Sequence, residues 1–189
     1  MDHDRLFKEL LTTFFVEFLE LFYPDVVPYL DRDSLEFLDK EVFTDVTSGQ
    51  RHEVDVLVKA RFRDQPSFFL VHLETQAQPQ VDFARRMFKY FARLHEKFDL
   101  PVYPVVLFSY DEPQRVEPDE YRITFPDWDV LTFRFRVLQL NRLDWHDFVQ
   151  RTNPVAAALM SKMRRASPEQ RPAVKLACLQ LLLWRGLFV

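Results

Sequence analysis

Residues 51–76 read RHEVDVLVKARFRDQPSFFLVHLETQ: two strand-like runs, Arg51 to Phe62 and Ser67 to Gln76, around a short polar turn at Arg63 to Pro66. β-Branched and aromatic residues alternate with polar ones, and the connection is short enough for a hairpin. Side chains on a strand alternate faces. Glu53, Asp55, Leu57 and Lys59 therefore share one face of the first run, opposite Val54, Val56, Val58 and Ala60. In the second run Leu70, His72, Glu74 and Gln76 share a face, opposite Phe69, Val71 and Leu73. Glu74 and Gln76 project in parallel, about 6.6 Å apart at roughly 3.3 Å of rise per residue. If the runs pair, Asp55 can face them, and two carboxylates and an amide converge at one sheet end, an oxygen set suited to a hard divalent cation. The plainer alternative is that these polar positions line the solvated side of an antiparallel sheet.

Composition narrows the classes. The chain has 189 residues, enough to bury its own core, and 48% are hydrophobic with 20 Phe, which argues against disorder. No apolar stretch reaches the roughly 18 residues of a membrane span, so no membrane partner is expected. The opening MDHDRLFKELL carries acids and lacks the regions of a signal peptide, so a cytoplasmic protein is the expectation. A single Cys178 excludes an internal disulfide and a cysteine-based zinc site. The net charge of −4 argues against nucleic-acid binding by bulk positive charge. With two glycines, Gly49 and Gly186, the chain cannot form a Gly-rich phosphate loop or a G-x-S-x-G elbow.

Helical spacing and the stop at Pro24 predict a helix over Asp4 to Tyr23, with Asp4 as N-cap. Asp33-Ser34-Leu35-Glu36 has capping-box spacing and predicts a short helix to about Lys40. Glu41 to Val46 is a candidate first strand. Val81 to Phe98 reads as a helix with Phe83, Met87, Phe91, Leu94 and Phe98 as its apolar stripe; Arg85, Arg86, Lys89, Arg93 and Lys97 make the remaining surface basic. Pro101 to Tyr110 reads as a strand covered on both faces, Asp111 to Glu120 as a loop, and Val130 to Leu138 as a further strand with Leu131, Phe133, Phe135 and Val137 inward. Helices are expected over Asp144 to Arg151, Pro154 to Arg165 and from Glu169 on. The almost wholly apolar end, Cys178 to Val189, reads as a helix docked in the core or, preferably, as a sign that the protein continues.

This order of elements, with the acid-bearing hairpin, resembles the αβββαβ core of PD-(D/E)XK nucleases. Within that superfamily the chain is similar to the Rpn group of recombination-promoting nucleases, related to transposases. The likeness rests on motifs in order: Asp4-Arg5-Leu6-Phe7-Lys8 for an opening Asp-x-x-Phe-Lys, Asp55-Val56-Leu57-Val58 for an acid before an apolar strand, Glu74-Thr75-Gln76 for Glu-x-Gln, and Arg86-Met87-Phe88-Lys89-Tyr90 for Arg-x-x-x-Tyr on the next helix. It covers about residues 4 to 110. It implies an α/β restriction-endonuclease-like domain over 1–140, with a central mixed sheet flanked by helices and a helical extension over 141–189.

The resemblance also implies metal-dependent cleavage of DNA phosphodiester bonds, with a role in recombination or mobile elements. Asp55 and Glu74 would hold Mg²⁺ or Mn²⁺, and Asp55, Glu74 and Gln76 would form the catalytic set. Arg86 would contact phosphate with Tyr90 in support. DNA is then the partner, and a homodimer is compatible with the sequence. The departure is Gln76, where the superfamily name places Lys: an amide cannot supply positive charge or take up a proton near neutral pH. Lys59, four residues beyond Asp55 on the same face, is a candidate substitute if its stem leans back along about 13 Å of strand. Asp4, Glu53 and His72 stand as outer candidates. A catalytically silent interaction module with the same fold and an RNase are the competing readings.

Overall fold

The computed structural model describes residues 3–38, 42–44, 51–53, 55–64 and 68–163. The chain is α/β, built on a mixed five-stranded sheet flanked by helices. The sheet order is β1 (Leu30–Phe37), β4 (Val56–Phe62), β5 (Phe68–Gln76), β6 (Val102–Phe108) and β9 (Arg136–Gln139). β1, β4 and β5 run antiparallel in sequence; β6 is parallel to β5, and β9 to β6. The step from β5 to β6 requires a crossover, and α3 (Phe83–Phe98) supplies it. Two small ribbons lie outside this sheet: β2 (Val42–Thr44) with β3 (Arg51–Glu53), and β7 (Glu120–Phe125) with β8 (Trp128–Arg134).

The alternation in the hairpin sorts residues onto two buried faces. Val56, Val58 and Ala60 of β4 join Phe69, Val71 and Leu73 of β5 in a core with Leu11 of α1 (His3–Thr13), Phe15, Phe18 and Leu19 of α2 (Phe15–Phe22) and Val155 and Leu159 of α4 (Pro154–Leu159). On the other face, Leu57 and Leu70 pack on Leu94 of α3, while Phe83 and Met87 pack on Val106, Phe108, Phe133 and Phe135. Helices thus cover both sides of the sheet. The β5 face that bears His72, Glu74 and Gln76 is therefore not a solvated sheet face: α3 covers it, and the three residues are 0%, 3% and 8% exposed.

Several expectations need correction. The first hairpin run is two strands, β3 and β4, which pair in different sheets. The segment with capping-box spacing, Asp33 to Glu36, is strand β1. Pairing with β4 overrides the local signal, and Ser34 is used otherwise than as a helix cap. At a register shift between Asp31 and Glu36, its hydroxyl accepts from the Arg61 N–H at 3.0 Å and donates to the Asp31 carbonyl at 2.6 Å. The opening helix breaks at Phe14 (φ −119°, ψ 41°) and begins at His3, which leaves Asp4 inside it.

The predicted strand Val130 to Leu138 divides at Phe135. β8 pairs with β7, EYRITF between two Pro-Asp steps, a strand missing from the expected elements, whereas β9 enters the central sheet. The apolar alternation continues across the break, so the change of partner leaves no mark in the pattern; Phe133 and Phe135 are both buried. Asp144 to Arg151 holds only a 3₁₀ turn at Trp145–Asp147. Asn153 caps α4 by accepting from the N–H groups of Val155 and Ala156, and Pro154 occupies a first-turn position that needs no N–H. Trp145, Val155, Leu159 and Met160 lie in the same core as the sheet, so the described residues after 140 pack onto the main body. The stretch from Glu169 on lies outside the described residues. Among the described residues no helix is long and apolar enough to cross a membrane.

Leu107, fully buried in the middle of β6, tests this packing. Leu107→Ala should cost about 2–5 kcal/mol in urea unfolding, whereas Val130→Ala, on the exposed ribbon, should stay within about 0.5 kcal/mol. Equal effects would contradict the layer assignment.

Candidate active site

The hairpin register positions the acids. Val56 lies opposite Leu73, so one step outward places Asp55 opposite Glu74, and the Asp55 N–H lies 3.4 Å from Glu74 Oε1. Asp55 occupies a bend just before β4, where the ladder ends. There its carboxylate closes the ladder: Oδ2 accepts from the Thr75 main-chain N–H at 2.7 Å and from the Thr75 hydroxyl at 2.6 Å. Its Oδ1 pairs with Lys8 Nζ of α1 at 2.7 Å. Three of roughly four acceptor directions on this carboxylate are thereby engaged, and its orientation is fixed.

Glu74 is nearly inaccessible to solvent. Its Oε1 lies 2.8 Å from Nε2 of His72, two residues back on the same face, and the fully buried His72 ring meets the Tyr90 ring edge-on at 5.6 Å. Burial pushes the Glu74 carboxyl above the ordinary 4.5, and the Asp55 charge adds to this; the His72 hydrogen bond and the Arg86 charge oppose it. The same burial, with the Glu74 charge, raises the Tyr90 phenol to about 12. Gln76 turns its amide N–H to the carbonyl of Thr75 at 2.8 Å.

Arg86 and Tyr90 share a face of α3, as their spacing predicts. The Arg86 guanidinium lies 5.1 Å from the Phe83 ring centre and 5.9 Å from that of Tyr90, and it donates to Gln80 Oε1. His72 Nδ1 and Arg86 Nε are buried with no hydrogen-bond partner among the described residues. Asp55, Glu74, His72, Arg86 and Tyr90 are thus gathered at the end of β5, with Gln76 just beyond. Lys59 is not: it lies opposite Leu70, pairs with Glu36 at 3.4 Å and sits 4.6 Å over the Phe68 ring. Asp4 is on α1 and Glu53 ends β3; their side chains lie outside the described residues.

Two contributors escape a reading of the sequence. Thr75 falls on the opposite face from Glu74 by strand alternation, and face counting cannot show that its N–H and hydroxyl both reach Asp55. Lys8 has a signal only as the end of the Asp-x-x-Phe-Lys resemblance. Among the described residues, no group of three or more His, Cys, Asp or Glu side chains is arranged to hold a metal ion. A pair of carboxylates still suits Mg²⁺, which keeps several waters and binds through one or two carboxylates together with substrate phosphates. The chain matches no family model, no curated protein and no solved structure.

The Glu74 environment has a pH consequence. In the metal-free protein the folded state holds the Glu74 proton more tightly than the unfolded chain does, so stability falls as pH rises from about 4.5 toward the raised folded value. Glu74→Gln removes that proton. Wild type should therefore lose stability relative to Glu74→Gln across this window, as read by urea unfolding in chelator at stepped pH. A difference that does not change with pH would show that Glu74 titrates normally.

Proposed function

We propose that this chain is a metal-dependent DNA endonuclease of PD-(D/E)XK type, similar to the Rpn nucleases, that hydrolyses phosphodiester bonds. The observation that carries the reading is the meeting of Asp55 and Glu74 at the end of the β4–β5 ladder, the Asp55 N–H 3.4 Å from Glu74 Oε1. It lies within a succession of helix α1, antiparallel strands β1, β4 and β5, helix α3 and parallel strand β6. That succession has the element order of the αβββαβ core. The donor chemistry agrees with it: two carboxylates of hard oxygen, one oriented by Thr75, the other shielded from bulk water. Two such charges side by side in a poorly solvated site are costly without a counter-charge. A divalent ion held there supplies Lewis-acid polarisation of a phosphate and a more acidic water.

The protein's own residues do the rest. Thr75 keeps Asp55 from rotating, and His72 fixes one oxygen of Glu74. Arg86, whose charge acts on Glu74, stands ready on the α3 side for a phosphate oxygen, with the Tyr90 ring beneath it. The unmet buried donors and acceptors around Glu74 are of the kind that mark a functional site. Gln76 orients through its amide and carries no charge.

Plasmid nicking tests the proposal. Wild type should nick supercoiled DNA with Mg²⁺ or Mn²⁺ and not in chelator. Asp55→Ala and Glu74→Gln should each lose roughly 100-fold, the scale of removing one charged stabiliser of the transition state. Residual nicking equal in Asp55→Ala and wild type would point to a contaminant and favour a silent interaction module. Faster turnover of single-stranded RNA than of duplex DNA would move the substrate class.

A further inference from the structure

Accepting the nuclease reading, the site lacks the ammonium that β5 would supply beside the acids, because Gln76 stands where the superfamily name places lysine. The structure narrows the sources. Gln76 is neutral and turned to its neighbour's carbonyl. Lys59 sits at the middle of β4, opposite Leu70, and is engaged by Glu36 and the Phe68 ring. Arg86 lies on the α3 side, over Phe83 and Tyr90. On the α1 side of this sheet end stands Lys8. It comes from α1, packed against β4 and β5, and brings its ammonium to 2.7 Å from Asp55 Oδ1. We propose that Lys8 contributes a second phosphate-facing cation, on the face opposite Arg86, an ammonium delivered from α1 in place of one delivered from β5.

Three features carry the assignment. The Lys8 side chain is only 19% exposed, so its charge is held near the acids rather than spread in solvent. It is not needed to orient Asp55, which the Thr75 N–H and hydroxyl already fix at 2.7 and 2.6 Å. And with Oδ2 doubly engaged and Oδ1 on Lys8, any group that joins Asp55 does so beside that ammonium. Lys8 and Arg86 then flank the acid pair from helices on opposite faces of the sheet. A phosphate bridging toward Asp55 and Glu74 meets a positive charge on either side.

The alternative is an ion pair that merely ties α1 to the start of β4. Binding of a 20-base-pair duplex, followed by fluorescence anisotropy across a salt series in Ca²⁺, separates the two, because each phosphate that the protein ceases to neutralise lowers the salt slope by about 0.9. Lys8→Met should show that smaller slope while Mn²⁺ affinity by calorimetry is not weakened, and nicking should fall roughly 100-fold. Lys8→Gln, closer in length and polarity, gives the same readout if Lys8→Met does not fold. Gln76→Lys placed in the Lys8→Met background should restore the slope.

An unchanged slope in the Lys8 variants overturns the proposal whatever happens to the rate, and so does weakened Mn²⁺ binding at unchanged slope, which is the signature of a structural tie. A slope that stays low in the double variant overturns the exchange of one lysine position for the other. If wild type nicks nothing, the nuclease reading falls, and the slope alone then decides whether Lys8 contacts phosphate.

Discussion

The pairing register of β4 with β5 is the constraint on which the acidic end of the molecule depends. Because side chains alternate across a sheet, a slip of one residue would send Glu74, His72 and Gln76 to the face packed by α1, α2 and α4. It would equally turn Val71 and Leu73 toward α3. Both faces are buried, so the slip would drive three polar groups into the apolar layer under α1, α2 and α4, and the register is strongly specified. Where the ladder stops, the Asp55 carboxylate takes the Thr75 N–H that a longer strand would have met with a carbonyl. The same bond ends the strand pairing and aims the acid.

That arrangement sets the electrostatics. Two carboxylates are drawn out of water at the end of the β4–β5 ladder, and the molecule answers with cations from different elements: Lys8 from α1, and Arg86 from α3. His72, on the same strand as Glu74, takes one of its oxygens in a hydrogen bond. Burial still dominates at Glu74, whose carboxyl holds its proton above the ordinary range. A hydrophobic substitute of similar size would be cheaper at a purely structural position. The retention of acids, an imidazole and a guanidinium against the Tyr90 ring is what makes this sheet end a candidate site rather than a piece of core.

How much of this is legible in the sequence follows from what each signal measures. Period-two alternation in Val56 to Phe62 and Phe68 to Gln76 assigns faces correctly, because burial depends on the face alone. It does not show what covers a face, so the polar side of β5 reads as solvated until α3 is seen lying over it. Alternation is equally blind to a change of partner, which is why β8 and β9 merge into one expected strand at Phe135. Capping-box spacing is a local preference, and at Asp33 to Glu36 it yields to the ladder offered by β4. Glu74 is readable because it sits on a strand with a fixed period, whereas Asp55 lies in the bend before β4, where alternation no longer sets the face and its carboxylate meets the Thr75 hydroxyl. Thr75 and Lys8 are not readable, since one acts through its backbone and the other arrives from a helix about fifty residues away in sequence.

The proposed nuclease chemistry calls for Asp55 and Glu74 together to hold a divalent ion. Diffraction from crystals of the full chain grown with Mn²⁺, measured at the manganese absorption edge, addresses this directly. The expected result is an anomalous peak within bonding distance of both carboxylates, absent in Glu74→Gln crystals grown in the same way. A peak elsewhere, or a wild-type site without manganese at saturating concentration, would contradict it.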